Sequence, residues 1–222
     1  MNTWLISTLI TSVAVAFATT FDDNIYLTIF FGKINRTFRP RHIVIGEYLG
    51  FTLLVLISLV GFLGGLVISH LWIGLLGFLP ISIGIANLLN RQEDEIQDVN
   101  TNFYNYTRPT PKRSLIATIR DPQTYKVSAV TVANGGNNIA IYIPLFASAS
   151  LPSLGIILAV LYTIIGIWCF LSYNLTRQPH LAIIISRYLK RFFPFVLIWL
   201  GMSIIIDNQS YELFTSLPLF SW

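Results

Sequence analysis

The chain has 222 residues, 54% hydrophobic and 11% charged, with a net charge of +4 and a mean hydropathy of +0.67. That leaves too few charges to coat a soluble globule of this size, which excludes a soluble enzyme or binding domain and predicts an all-α membrane protein. A basic pI would suggest a nucleic-acid partner if the cations formed one patch with interleaved aromatics, but the 14 Lys and Arg are divided among three separate stretches that alternate with apolar segments, and no nucleic-acid partner is expected.

A membrane-spanning helix needs about 20 mainly apolar residues. Six segments meet that length: 4–31, 43–66, 68–90, 127–149, 153–174 and 183–206. The first begins almost at Met1 without the positive n-region of a secretory signal, and is read as a retained helix. It carries Thr19, Thr20, Asp22, Asp23 and Asn24 near its middle, and is followed by Lys33, Arg36, Arg39 and Arg41. The second holds Glu47, and a tight turn at Gly64 and Gly65 is predicted to lead into the third, which contains Pro80. A polar segment, 91–126, contains Arg91, Arg108, Lys112, Arg113, Arg120 and Lys126. The fourth apolar segment holds Asn134, Gly135, Gly136, Asn137 and Asn138. A short turn over 148–153 joins it to the fifth, whose Cys169 has no second cysteine to pair with. Arg177, Arg187, Lys190 and Arg191 precede or open the sixth, which contains Pro194.

Basic stretches after the first, third and fifth segments, with none between the others, are what the positive-inside rule produces. They are read as cytosolic, which puts both termini outside the cytosol; the tail over 207–222 has no Lys or Arg, as that requires. The predicted organisation is a first three-helix repeat over 1–90, a cytosolic loop over 91–126 and a second three-helix repeat over 127–222. With three spans per half, the second copy enters the membrane from the opposite face, an inverted-topology repeat. The two halves align at Ala18-Thr19-Thr20-Phe21-Asp22-Asp23-Asn24 and Ala133-Asn134-Gly135-Gly136-Asn137-Asn138-Ile139.

Asp22 and Asp23 stand about nine residues before the cytosolic end of their segment, roughly 13 Å into a core about 30 Å thick. Asn137 and Asn138 reach roughly 16 Å from theirs by the same rise. A carboxylate at that depth carries an insertion penalty of about 2.5–3.5 kcal/mol and usually faces a bundle interior or wet cavity. Adjacent residues on a helix point about 100° apart, so both acids reach one ligand only if the helix breaks. Thr19, Thr20 and Asn24 favour such a break in the first span, and Gly135 and Gly136 in the fourth. Unwound backbone in transporters lines substrate sites, where freed carbonyls coordinate cations. The candidate ligands are therefore Asp22, Asp23, Thr19, Thr20, Asn134, Asn137 and Asn138, an oxygen set suited to a divalent cation. Glu47 is added to them, although its place near Arg41 also suits a snorkelling pair at the headgroups. An isolated Asn or Thr in a membrane helix is equally suited to holding helices together. His42, His70 and His180 border the segment ends, and the Trp and Tyr residues read as interfacial or core aromatics.

At these residues the chain resembles the cadmium-resistance transporter family, within the lysine-exporter superfamily. The resemblance rests on Phe17-Ala18-Thr19-Thr20-Phe21-Asp22-Asp23, Gly46-Glu47-Tyr48-Leu49-Gly50, Leu79-Pro80-Ile81-Ser82, Val132-Ala133-Asn134-Gly135-Gly136-Asn137-Asn138-Ile139 with Ile141-Tyr142-Ile143-Pro144-Leu145-Phe146, and Pro194-Phe195-Val196-Leu197-Ile198. The family pattern has Asp where this chain has Asn137 and Asn where it has Thr20, which lowers the site's charge by one. The resemblance implies export of Cd²⁺ or a similar divalent cation across a bacterial plasma membrane, with no cofactor. Oxygen ligands are harder than the thiolates Cd²⁺ favours. The expected mechanism is alternating access, the two halves rocking about the midplane site. A coupled carboxylate pair that gives up a proton when the cation binds would make it a proton antiporter. Two alternatives stand beside it. One is export of an amino acid or other small cationic solute, Asp22 or Asp23 facing its ammonium group. The other is a membrane enzyme or assembly scaffold; against enzymatic chemistry, both acids lie on one helix with no base and nucleophile pair nearby.

Overall fold

The computed structural model describes residues 3–21, 23–89, 115–176 and 179–215, and among these residues every regular element is a helix. Asp22, Arg177, most of the predicted loop and the end of the tail lie outside the described residues.

The first apolar segment divides into α1 (Thr3–Thr20) and α2 (Asp23–Gly32), whose axes differ by 55°. The side chains before the division return to their own helix: Thr19 Oγ1 donates to the Val15 carbonyl at 2.9 Å and Thr20 Oγ1 to the Ala16 carbonyl at 2.6 Å. Hydroxyls that bond back one turn weaken and bend a helix. Asn35 then closes the link to the next helix, its side-chain oxygen accepting from the backbone N–H of Thr37 at 2.9 Å and of Phe38 at 2.8 Å. This is the local bonding that makes Asn a turn residue.

α3 (Pro40–Val67) starts on a proline, which suits the first helical position, and runs for 28 residues. It passes through Gly64 and Gly65, where the sequence suggests a turn; the chain turns instead at Ile68 and Ser69. The glycines serve close approach. A Cβ on Gly61 or Gly65 would overlap the backbone of Ile143 or Ala147, and one on Gly46 or Gly50 would lie 2.6 Å from the Thr124 carbonyl or 2.7 Å from that of Ser128. Small residues are what lets helices touch where lipid removes the hydrophobic drive between them. Gly61→Val is accordingly expected to push α3 off its neighbour and to destabilise the fold by about 1–3 kcal/mol or more. Thermal unfolding in detergent reads this directly, and an unchanged midpoint would contradict the packing.

The third segment comprises α4 (His70–Ile73), a tight 3₁₀ turn over Gly74–Gly77 and α5 (Phe78–Leu89). After α6 (Leu115–Ile119), the fourth begins at Pro122 rather than near 127, because Asp121 caps α7 (Pro122–Asn134) by accepting from the Gln123 N–H at 3.0 Å. His42 Nε2 lies 3.9 Å from Asp121 Oδ2, tying the first turns of α3 and α7 together. α8 (Gly136–Ala147) follows after the single non-helical Gly135, and then come α9 (Leu151–Leu175), α10 (Pro179–Asp207) and the short α11 (Glu212–Thr215).

The stretches Pro40–Val67, His70–Leu89 and Leu151–Leu175 are long and apolar enough to cross a membrane, and α1 with α2 makes a fourth if the bent pair is one span. Exposed Leu56, Val60, Leu63, Ile167 and Phe170 on these helices suit lipid contact. The protein is an integral membrane protein.

Packing does not follow the two halves. α9 lies along α1 and α2, α3 along α7 and α8, and α5 along α10. Each pairing joins a helix before residue 90 to one after residue 120, so the halves interleave. The buried core, with Tyr26, Phe30, Phe51, Tyr142, Phe146 and Leu161 among its largest side chains, draws on both.

Candidate functional site

The interleaving brings the start of α2 against the end of α7. Asp23, the first residue of α2, is 3% exposed, and Asn134, the last residue of α7, donates from Nδ2 to Asp23 Oδ1 at 3.0 Å. An acid in the first turn of a helix is stabilised by the N–H groups and dipole of that end. At the facing helix end the last carbonyls leave the intrahelical ladder, and Gly135, the C-cap of α7, sits where a Cβ would run into Leu54. A buried carboxylate and a half-buried helix C-terminus therefore meet, both of them offering oxygens to a ligand.

Glu47 supplies a second carboxylate. It is fully buried instead of reaching for the headgroups, and Tyr26 Oη donates to its two oxygens, at 3.0 and 2.9 Å. Thr131 Oγ1 donates to Oε2 at 2.7 Å. Tyr26 lies three residues after Asp23 on α2, and Thr131 three residues before Asn134 on α7, so one face of each helix holds both acids. Hydrogen bonds to a charged group are worth about 1.5–3 kcal/mol each, which is what burial of a carboxylate demands.

The remaining expected ligands are distributed unevenly. Thr19 Oγ1 shares a hydrogen bond with Tyr142 Oη on α8 at 2.7 Å. Thr20 Oγ1 accepts from Trp168 Nε1 at 2.9 Å. Asn138 is buried in the first turn of α8, its amide nitrogen close to Gly135, whereas Asn137 is exposed beside an open-sided Gly136. Asp22 lies outside the described residues. Tyr26, Thr131 and Trp168 were not expected at the site. The signal for the first two is the three-residue spacing from Asp23 and Asn134; Trp168, inside a continuous apolar run, has none.

Chemically, the arrangement offers carboxylate, amide, hydroxyl and carbonyl oxygens. Among the described residues no three His, Cys, Asp or Glu side chains gather as a ready-made metal cluster. A cation here would draw on two acids and on neutral oxygens, the ligand mixture of a hard divalent ion, and no thiol joins it: Cys169 is a buried free cysteine on α9.

A family model described as cadmium resistance transporter matches residues 16–217, a range that contains every residue of the site. No curated protein and no solved structure matches the chain.

Proposed function

As the chain belongs to the cadmium resistance transporter family, we propose that it exports Cd²⁺ or a similar divalent cation by alternating access, holding the ion at Asp23 with Asp22, Glu47 and neighbouring amide and backbone oxygens. The observation that carries this reading is the buried Asp23 carboxylate bound by Asn134 from the other half of the chain. Anionic side chains inside an apolar bundle are costly and mark ion pathways.

The proposed architecture is six spans in two inverted repeats, over 1–90 and 127–222 with a cytosolic loop between them, in a bacterial plasma membrane with both termini outside. Supporting it, the packing obeys the exchange such a repeat requires. Swapping spans one with four, two with five and three with six turns the pairing of α1 and α2 with α9 into that of α7 and α8 with α3. It also returns the α5 and α10 pair to itself. Because the halves interleave, the moving bodies are the cross-half bundles: α1, α2 and α9 on one side, α3, α7 and α8 on the other. Asp23 and Tyr26 then belong to one bundle, and Asn134, Thr131 and Glu47 to the other, so opening to either side separates the ligands and releases the ion.

Proton antiport is the proposed coupling, since neighbouring acids that hold a proton in the empty site must lose it to a divalent cation. In proteoliposomes loaded with Cd²⁺, an inward proton gradient is expected to accelerate Cd²⁺ release severalfold, and collapse of the gradient with an ionophore to remove the gain. Flux indifferent to the gradient would exclude the coupling and leave the export reading standing.

A further inference from the structure

α9 runs unbroken past the interruption between α1 and α2 and bonds to both sides of it. Trp168 Nε1 donates to Thr20 Oγ1 at 2.9 Å, on the last residue of α1. Ser172 Oγ donates to Asn24 Oδ1 at 2.5 Å, on the second residue of α2, and lies 3.4 Å from the Asn24 carbonyl. Thr20, Asn24 and Ser172 are fully buried and Trp168 is 2% exposed. The spacing is four residues on both strands of this ladder, about 6 Å along a helix. One continuous helix thus sets the two fragments one turn apart on its own side, although their axes differ by 55°.

Two details separate this ladder from ordinary packing. The Thr20 hydroxyl already donates to the Ala16 carbonyl at 2.6 Å, so it meets Trp168 with a lone pair and its one proton is used. Asn24 gives its oxygen to Ser172 and leaves Nδ2 buried without a hydrogen bond among the described residues. A buried unsatisfied donor is unfavourable, and stability alone would favour an apolar side chain there.

We propose that Trp168 and Ser172 are positioning residues that splint the interrupted first span. Holding Asn24 against α9 turns the preceding residue, about 100° away around the helix, so that the Asp23 carboxylate faces Asn134 on α7. Thr20 is the anchor of this splint rather than a cation ligand. The inference rests on Asp23 as cation ligand and adds the residues that aim it.

The test is Cd²⁺ transport in vesicles bearing wild type, Trp168→Phe, Thr20→Val, Thr20→Ser, the Trp168→Phe/Thr20→Val double variant and Asp23→Asn, each normalised to the amount of inserted protein. Phe at 168 keeps an aromatic ring against Phe17, which Trp168 meets edge-on at 5.6 Å. Trp168→Phe and Thr20→Val are each expected to raise the KM for Cd²⁺ about tenfold, the equivalent of one buried hydrogen bond, with Vmax within about twofold. Thr20→Ser is expected to match wild type, and the double variant to match either single, because both remove the same bond. An unchanged KM in Trp168→Phe, additive effects in the double variant, or losses confined to Vmax would overturn the splint. If Asp23→Asn is inactive while the splint variants behave as wild type, the cation site stands and only the splint falls. Wild-type flux in Asp23→Asn would overturn the cation-site reading itself.

Discussion

Cells expressing Asp23→Asn are expected to lose cadmium tolerance, and the purified variant to transport Cd²⁺ at least about 100-fold more slowly than wild type. The substitution keeps size and shape, and an Asn oxygen still accepts from Asn134 Nδ2, now 3.0 Å from Asp23 Oδ1. What it removes is charge. A unit charge about 4 Å from a divalent ion contributes roughly 8 kcal/mol at an effective dielectric of 20, and a third of that amounts to about 100-fold in binding. The same substitution relieves the cost of burying a carboxylate, so thermal stability without metal is expected to hold or rise slightly. That opposition of signs makes the experiment decisive. Loss of transport together with loss of stability would mean a damaged fold, whereas transport near wild type would remove Asp23 from the pathway. Asp22→Asn in parallel shows whether the two acids share the load.

Parts of this arrangement are legible in the residues and parts are not, for a physical reason. Polar clusters inside apolar segments are rare because they are expensive in lipid, so 19–24 and 134–138 stand out, and helix does end at Thr20 and at Asn134. The choice of neighbouring helix is different. Which apolar face packs on which is decided by shape complementarity between segments far apart in sequence, and hydropathy carries no record of it. Interleaving of the halves is therefore invisible, and with it the placement of Thr131 and Tyr26 on Glu47 and of Trp168 on Thr20. Gly64 and Gly65 show a related ambiguity. Glycine marks both turns and close helix contacts, and only the backbone of Ala147 lying against Gly65 separates the two. Glu47 illustrates the reverse case. Its sequence position near Arg41 suits a headgroup pair, while its complete burial follows from two hydroxyls converging on it from α2 and α7.

Glu47 lets charge and architecture be taken apart with two substitutions at one position. Glu47→Gln is expected to fold. Its amide replaces one acceptor by a donor, and Thr131 Oγ1, 3.1 Å from the Val127 carbonyl, can turn its proton there and accept instead. The change in stability should stay within about 1–2 kcal/mol, the scale of one rearranged hydrogen bond. Glu47→Leu leaves the buried hydroxyl of Tyr26 without the acceptor it has in Glu47, while Thr131 can fall back on the Val127 carbonyl, and the substitution is expected to destabilise the protein by about 1–3 kcal/mol. If Glu47 balances the charge of the transported ion, both variants lose Cd²⁺ flux by tenfold or more although the second is the less stable. If Glu47 is a strut between α3 and the two helices that meet on it, flux follows stability, and the Gln variant transports as wild type. Measuring detergent melting curves and vesicle flux on the same preparations distinguishes these outcomes. The bundle geometry favours the first. A strut needs no charge, and a carboxylate held by hydroxyls from α2, in one proposed moving body, and from α7, in the other, sits where an ion passing between them would find it.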